Sequence, residues 1–313
     1  MRALSIPALW LAAMLLGSCG APEQSATVEA HQASARLLTD AAWAGKRLIA
    51  VGEYGQILHS DDSGKHWESA QSPSTALLTA VFFVDDRHGW AVGHDMTILH
   101  TDDGGLTWQQ QFAAPDENRP LLDTFFQNSD KGWAVGAYGA MLTTADGGKS
   151  WHNRQRDEDD RHLNAMTMLA DGTLMLVGET GTVRVSHDAG TTWETIKTPY
   201  SGSFFGAVQA PDGAWILHGL RGTILRTDDE GATWTSIEGA PKVGLMGSAL
   251  LPDGTIMLVG AAGTVLISHD SGRSFRRMKN MGTRTYTGIL PDGSNRVFLL
   301  GEGGIRTVSL HED

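Results

Sequence analysis

The sequence predicts an all-β chain: a seven-bladed β-propeller of four-stranded antiparallel blades. Three observations carry that prediction. One phrase recurs seven times, its copies keep a near-constant spacing, and each unit parses into four short strands. The copies begin at Val51 (VGEYGQILHSDDSGKHW), Val92, Val135, Val177, His218, Val259 and, truncated, Leu300, at intervals of 41, 43, 42, 41, 41 and 41 residues. A period of this length marks units that cannot bury their own faces and must stack.

The second unit illustrates the parse. An apolar strand over Leu78–Val84 is followed by a second over Gly89–Val92. A turn at Gly93–Met96 leads to a third over Thr97–Thr101, and the loop 102–106 leads to a fourth over Thr107–Gln111. Four short antiparallel strands in about 40 residues match one propeller blade. The 38 glycines suit the many tight turns this requires. The last copy ends at Asp313 with three strands, and Thr27–His31 is expected to supply its missing outer strand. That closure would join both termini in one blade and protect its edge.

The loop between third and fourth strands fits S/T-x-D-x-G-x-x-W, the Asp box. Its acidic residues are Asp62, Asp103, Asp146, Asp188, Asp229 and Asp270, each ahead of Trp67, Trp108, Trp151, Trp193, Trp234 or Phe275. A carboxylate here accepts hydrogen bonds from loop N–H groups, the glycine permits an unusual backbone, and the ring covers the turn. Six equivalent aspartates around a ring are therefore read as structural. Ser186-His187-Asp188 is part of such a loop and not a catalytic relay. The DDSG, DDGG and DDEG runs lack the alternating ligands and terminal Glu of a calcium loop.

The N-terminus reads as a processing segment. Arg2 precedes an apolar stretch from Ala3 to Leu16 that is short for a membrane span and contains Pro7. It ends Leu16-Gly17-Ser18-Cys19, which resembles a bacterial lipobox, and Cys19 is the one cysteine of the chain. The expected division is a signal peptide over 1–18, a lipidated Cys19 opening a tether over 19–26, and the propeller over 27–313. Multiple acyl chains on Cys19 would anchor the protein stably in the cell envelope.

The formal net charge is −12, which opposes the broad basic face that nucleic acid requires. A single cysteine allows no internal disulfide. The sequence carries no HExxH, P-loop, cysteine pair or nucleophile elbow. No catalytic residue, cofactor or metal is expected.

In a propeller, the turns joining second and third strands share one face with the connections between blades. The turns offer Tyr54, His94, Asp95, Tyr138 and Arg221. The connections offer Arg119, Arg161, Tyr200, Arg284 and Tyr286, with two longer charged stretches at Ala114–Leu121 and Arg154–His162. Aromatic and Arg residues carry interface energy, so this face is the expected partner-binding surface.

The repeat phrase Phe82-Phe83-Val84-Asp85 … Gly89-Trp90-Ala91-Val92-Gly93 … Asp102-Asp103-Gly104-Gly105-Leu106-Thr107-Trp108 resembles that of the photosystem II stability/assembly factor family. Phe125-Phe126 … Gly132-Trp133-Ala134-Val135-Gly136 repeats it, and the resemblance covers about residues 35–310. It implies a single propeller that is not an enzyme and assists assembly of a membrane-protein complex. It also implies a basic Arg-rich patch. The expected protein is a monomer on the periplasmic side of a membrane, or the thylakoid lumen side in a photosynthetic host. A sialidase-like glycan-binding or hydrolysing propeller is the second reading. An accessory lipoprotein of an envelope transporter is the third. Sialidases, however, use six blades and an arginine cluster, and xyloglucan-type glycosidases use two propellers.

Overall fold

Each blade forms because its second strand carries apolar side chains on both faces. Gly89–Gly93, Gly132–Gly136, Leu174–Gly178, Trp215–Gly219 and Ile256–Gly260 are buried from end to end. Such a strand is stable only when covered on both sides, and the neighbouring blades provide that cover. The computed structural model describes residues 36–154, 160–279 and 281–310.

Seven antiparallel sheets result, each with its strands in simple sequential order from the inside out. The innermost strands are Leu38–Ala44, Leu78–Phe83, Leu121–Phe126, Leu163–Met168, Phe204–Gln209, Leu245–Leu250 and Tyr286–Pro291. Each contacts the innermost strand of the next blade, and the seventh returns to the first. The strands of the second unit, Leu78–Phe83, Gly89–Gly93, Ile98–Thr101 and Gln109–Phe112, match the sequence parse within two residues.

Three contacts close the ring between blades seven and one. The Thr287 hydroxyl donates to the Leu38 carbonyl at 2.9 Å, and the Trp43 indole donates to the Pro291 carbonyl at 2.9 Å. Trp43 also meets Phe298 edge to face, centroids 6.1 Å apart. Among the described residues the seventh sheet has three strands, ending with Gly304–Ser309. The expected closing strand Thr27–His31, the signal segment, Cys19 and the tether lie outside the described residues.

The Asp boxes share one hydrogen-bond pattern. In each, the Ser or Thr hydroxyl donates to the Asp carboxylate, as from Thr101 to Asp103 at 2.8 Å, and accepts the glycine N–H, as from Gly105 at 3.0 Å. The same carboxylate oxygen takes the N–H of the residue four beyond the Asp, as from Thr107 at 3.0 Å. The other oxygen takes that residue's side chain: His66, Thr107, Ser150, Thr192, Thr233 or Ser274. The Ser150 hydroxyl and N–H hold the Asp146 carboxyl down at about 2, and the Thr192 N–H and hydroxyl do the same for Asp188. Each carboxylate is thus consumed by its own turn.

These loops also join the blades. A Cβ on Gly105 would lie 2.5 Å from Cδ1 of Ile49 in blade one, and a Cβ on Gly64 in blade one would lie 2.9 Å from the Phe298 ring in blade seven. The Asp box of one blade therefore packs on the blade before it.

Candidate functional site

The turns between second and third strands build one face. Their tip residues Tyr54, Asp95, Tyr138, Thr180, Arg221 and Ala262 all have φ between 54 and 59°, and Gly303 occupies the same position in blade seven. Left-handed backbone is costly for a side chain with a Cβ, so something must hold it. In all seven blades the N–H opening the turn donates to the carbonyl just before that blade's innermost strand. Examples are His94 to Leu77 at 2.8 Å and Ala137 to Pro120 at 2.9 Å. The approach is so close that a Cβ on Gly136 would sit 2.2 Å from the Pro120 carbonyl oxygen. On its other side the turn meets the connection to the next blade, as where Gly139 N–H donates to the Arg161 carbonyl at 3.0 Å. Turns and connections are thereby locked into one surface.

That surface brings most of the sequence-predicted residues together. Tyr54 is 73% exposed and Tyr138 49% exposed. Arg36 lies over the Tyr54 ring, and Tyr138 meets His162 edge to face at 5.0 Å. His94, Asp95, Arg161, Arg221 and Arg284 are exposed. Arg119 is half-buried and paired with Glu117 of its own connection. Tyr200 is half-buried, its hydroxyl donating to the Leu220 carbonyl at 3.0 Å. Tyr286 departs from the expectation. It opens the innermost strand of blade seven, is buried, and donates its hydroxyl to the Met281 carbonyl at 2.8 Å. An aromatic ring at the start of that strand fills the position held by Leu38, Leu78, Leu121, Leu163, Phe204 and Leu245 elsewhere, so it packs inward and presents nothing to a partner. Of the stretch Arg154–His162, residues 155–159 lie outside the described residues.

Two features escaped the sequence reading. The first is a set of polar groups at the inner seams between blades. Asp40 accepts the Val81 N–H of the next blade at 2.9 Å, and Asp123 accepts the Met166 N–H of the next blade at 2.7 Å. Burial pushes the Asp40 carboxyl up to about 6 and the Asp123 carboxyl to about 7, the nearby Asp40 adding to the second. His218, fully buried, makes the equivalent link from blade five to the Leu245 carbonyl at 2.9 Å, and burial lowers it to about 4. The signal was available for His218, which replaces the Val found at that position in five copies.

The second is a groove of about 540 Å³ between blades three and four. Lys131, Arg154, Arg184 and His152 line it beside Trp133 and Trp193, and among the described residues no carboxylate appears in that lining. Lys131 lies over the Trp133 ring at 5.3 Å. Arg184 stands where other third strands hold Leu58, Leu99, Leu142, Leu225 and Leu266, which is the signal that could have marked it. In an acidic chain such a groove is suited to anionic groups. Among the described residues no cluster of three or more His, Cys, Asp or Glu side chains has metal-binding spacing, and no helix is long and apolar enough to cross a membrane.

Comparison with known proteins adds family and fold. The family model described as photosynthesis system II assembly factor YCF48 matches residues 65–121 and 112–239. A solved structure of YCF48 bound to a D1 peptide is 22% identical, with a TM-score of 0.73 over 89% of this chain and 94% of that one. YCF48 from Cyanidioschyzon merolae is 17% identical, TM-score 0.71, over 88% and 96%. A catalytically inactive virginiamycin B lyase from Staphylococcus aureus with quinupristin is 12% identical, TM-score 0.75, over 89% and 96%. At these identities the structural likeness speaks for the fold alone. The search of curated proteins returned no match.

Proposed function

Because the chain belongs to the photosynthesis system II assembly factor YCF48 family, we propose that it is a non-catalytic scaffold that binds a membrane-protein partner and assists its assembly or stability. The observation that carries this reading is the pair Tyr54 and Tyr138. Both are exposed aromatic side chains at turn tips with φ of 57 and 54°. A bulky residue in left-handed backbone costs about 1–2 kcal/mol that glycine would avoid. The left-handed backbone is common to the turn tips, Thr180 and Ala262 included, and what sets Tyr54 and Tyr138 apart is an exposed aromatic ring at that position, a residue type that carries interface energy. Arg161, Arg221 and Arg284, exposed on the same face, would complement acidic groups on the partner.

The six Asp-box carboxylates support a non-enzymatic role, since their lone pairs are committed to loop hydrogen bonds. The relative solved with a D1 peptide supports a partner that offers a peptide segment. The cationic groove between blades three and four is the second place where such a segment, if acidic, would lie. Lipidation at Cys19, after removal of residues 1–18, would hold the propeller at the envelope or, in a photosynthetic host, on the lumenal side of the thylakoid membrane.

The test is in-cell crosslinking followed by affinity purification from detergent-solubilised membranes, with the captured proteins identified by mass spectrometry. One recurrent membrane complex, lost on charge reversal of Arg161, Arg221 and Arg284, is the expected result. Recovery of the chain without a membrane protein would overturn the reading.

A further inference from the structure

A cavity of about 220 Å³ lies on the channel side of blades four, five and six. Its walls come from three consecutive innermost strands, through Met166, Thr167, Phe205, Gly206, Met246 and Ser248, with Met175 and His218 behind them. One departure from the repeat shapes it, His218, set beside a glycine that blades six and seven also carry as Gly247 and Gly288. Where blades one and three carry Asp40 and Asp123 beside a second-strand Val, blade five carries Gly206 beside His218. A Cβ on Gly206 would sit 2.5 Å from the His218 Nε2, so a side chain there would close the space that the imidazole now faces.

The imidazole is aimed and polarised. Nδ1 lies 2.9 Å from the Leu245 carbonyl, which can only accept, so Nδ1 carries the proton. Nε2 is then a bare acceptor, and among the described residues it is buried without a hydrogen-bond partner. Leaving a buried polar atom in this state is unfavourable, and a donor from a ligand would recover the loss. The rest of the lining sets Met166, Met175, Met246 and Phe205 beside the polar Thr167 and Ser248, and thioethers make favourable contacts with ring edges. A cavity of about 150 Å³ holds a benzene ring, so this one has room for a ring and one polar substituent.

We propose that the cavity behind Gly206 binds a small aromatic hydrogen-bond donor, a phenol or indole ring, whose O–H or N–H is accepted by His218 Nε2. The same chemistry is available from a free aromatic metabolite or from a Tyr or Trp side chain of a peptide entering the channel.

The experiment uses the full chain and four probes: p-cresol against toluene, and indole against 1-methylindole. Each pair keeps the ring and removes the donor. Calorimetry or ligand-observed NMR should give about tenfold tighter binding for each donor, one hydrogen bond's worth. The preference should vanish in His218→Val, which restores the residue found in five other copies. In the wild-type protein, the ¹⁵N resonance of His218 Nε2 should shift with indole and stay fixed with 1-methylindole, a readout that needs no variant. A Tyr-containing hexapeptide that displaces p-cresol would identify a peptide side chain as the source, and one that does not would identify a free small molecule. Equal affinities within both pairs, no binding of any ring at millimolar concentration, or a donor preference that survives in His218→Val would overturn the proposal.

Discussion

Replacing Asp123 with asparagine isolates the charge at one inner seam. In the folded chain this carboxyl accepts N–H groups from Thr124 and Met166, yet burial and the neighbouring Asp40 raise it from 3.8 to about 7. Its folded value lies above its unfolded one, so its stabilising contribution is complete below 3.8 and is lost as pH rises through about 7. Between about pH 5 and pH 7 the unfolded chain is ionised at this position while the folded chain holds its proton. At about 1.36 kcal/mol per pH unit over roughly two units, the wild type loses about 3 kcal/mol from this group. That figure is an upper bound, because water reaching the side chain offsets part of the desolvation. The substituted amide does not titrate, but its oxygen can accept only one of the two N–H groups, which costs about 1 kcal/mol at every pH. The variant should therefore be slightly less stable than wild type at acidic pH and more stable at alkaline pH. Chemical denaturation on either side of neutrality, or thermal melts differing by roughly 5–10 °C in relative shift, reads this directly. Parallel loss of stability in both proteins across that range would refute the reasoning.

Three other outcomes follow from the same structure. Asp103→Ala should destabilise by about 2 kcal/mol in denaturant titration, since it strands the N–H groups of Leu106 and Thr107 and loosens a loop packed on blade one. The Asp-box carboxyls are held below their unfolded value, as in Asp146 and Asp270. Their contribution is present above 3.8 and is lost as pH falls toward about 2, so stability should peak on the acidic side of neutrality and fall in both directions in a pH series of melts. Cys19→Ser should move the protein from the membrane to the soluble fraction on cell fractionation, and unchanged membrane association would remove the lipid anchor.

The repeat made most of the fold legible. Its period, its buried second strands and its Asp boxes all recur, and recurrence is what a single sequence exposes best. The turn face was legible for the same reason, since Tyr54, Asp95, Tyr138 and Arg221 fall at one position of the repeat. What escaped reading depends on how strands meet across a seam. Asp40 and Asp123 look like surface residues at the start of a strand until the next blade's N–H groups are brought against them. Tyr286 looks like part of a connection because strand boundaries set which way a side chain turns, and one residue reverses it. His218 and Arg184 were visible only as departures from the repeat, which a search for similarity passes over.

The most direct test of the scaffold account joins stability to capture at the turn tips. Tyr54→Gly combined with Tyr138→Gly removes two side chains from left-handed backbone and should raise stability by about 1–2 kcal/mol in total, since the chain entropy glycine adds to the unfolded state offsets part of the relief. If those tyrosines are kept for binding, the same double variant should lose crosslinking to its membrane partner while melting at a higher temperature. A double variant that is less stable, or that captures the partner as well as wild type, would contradict the account.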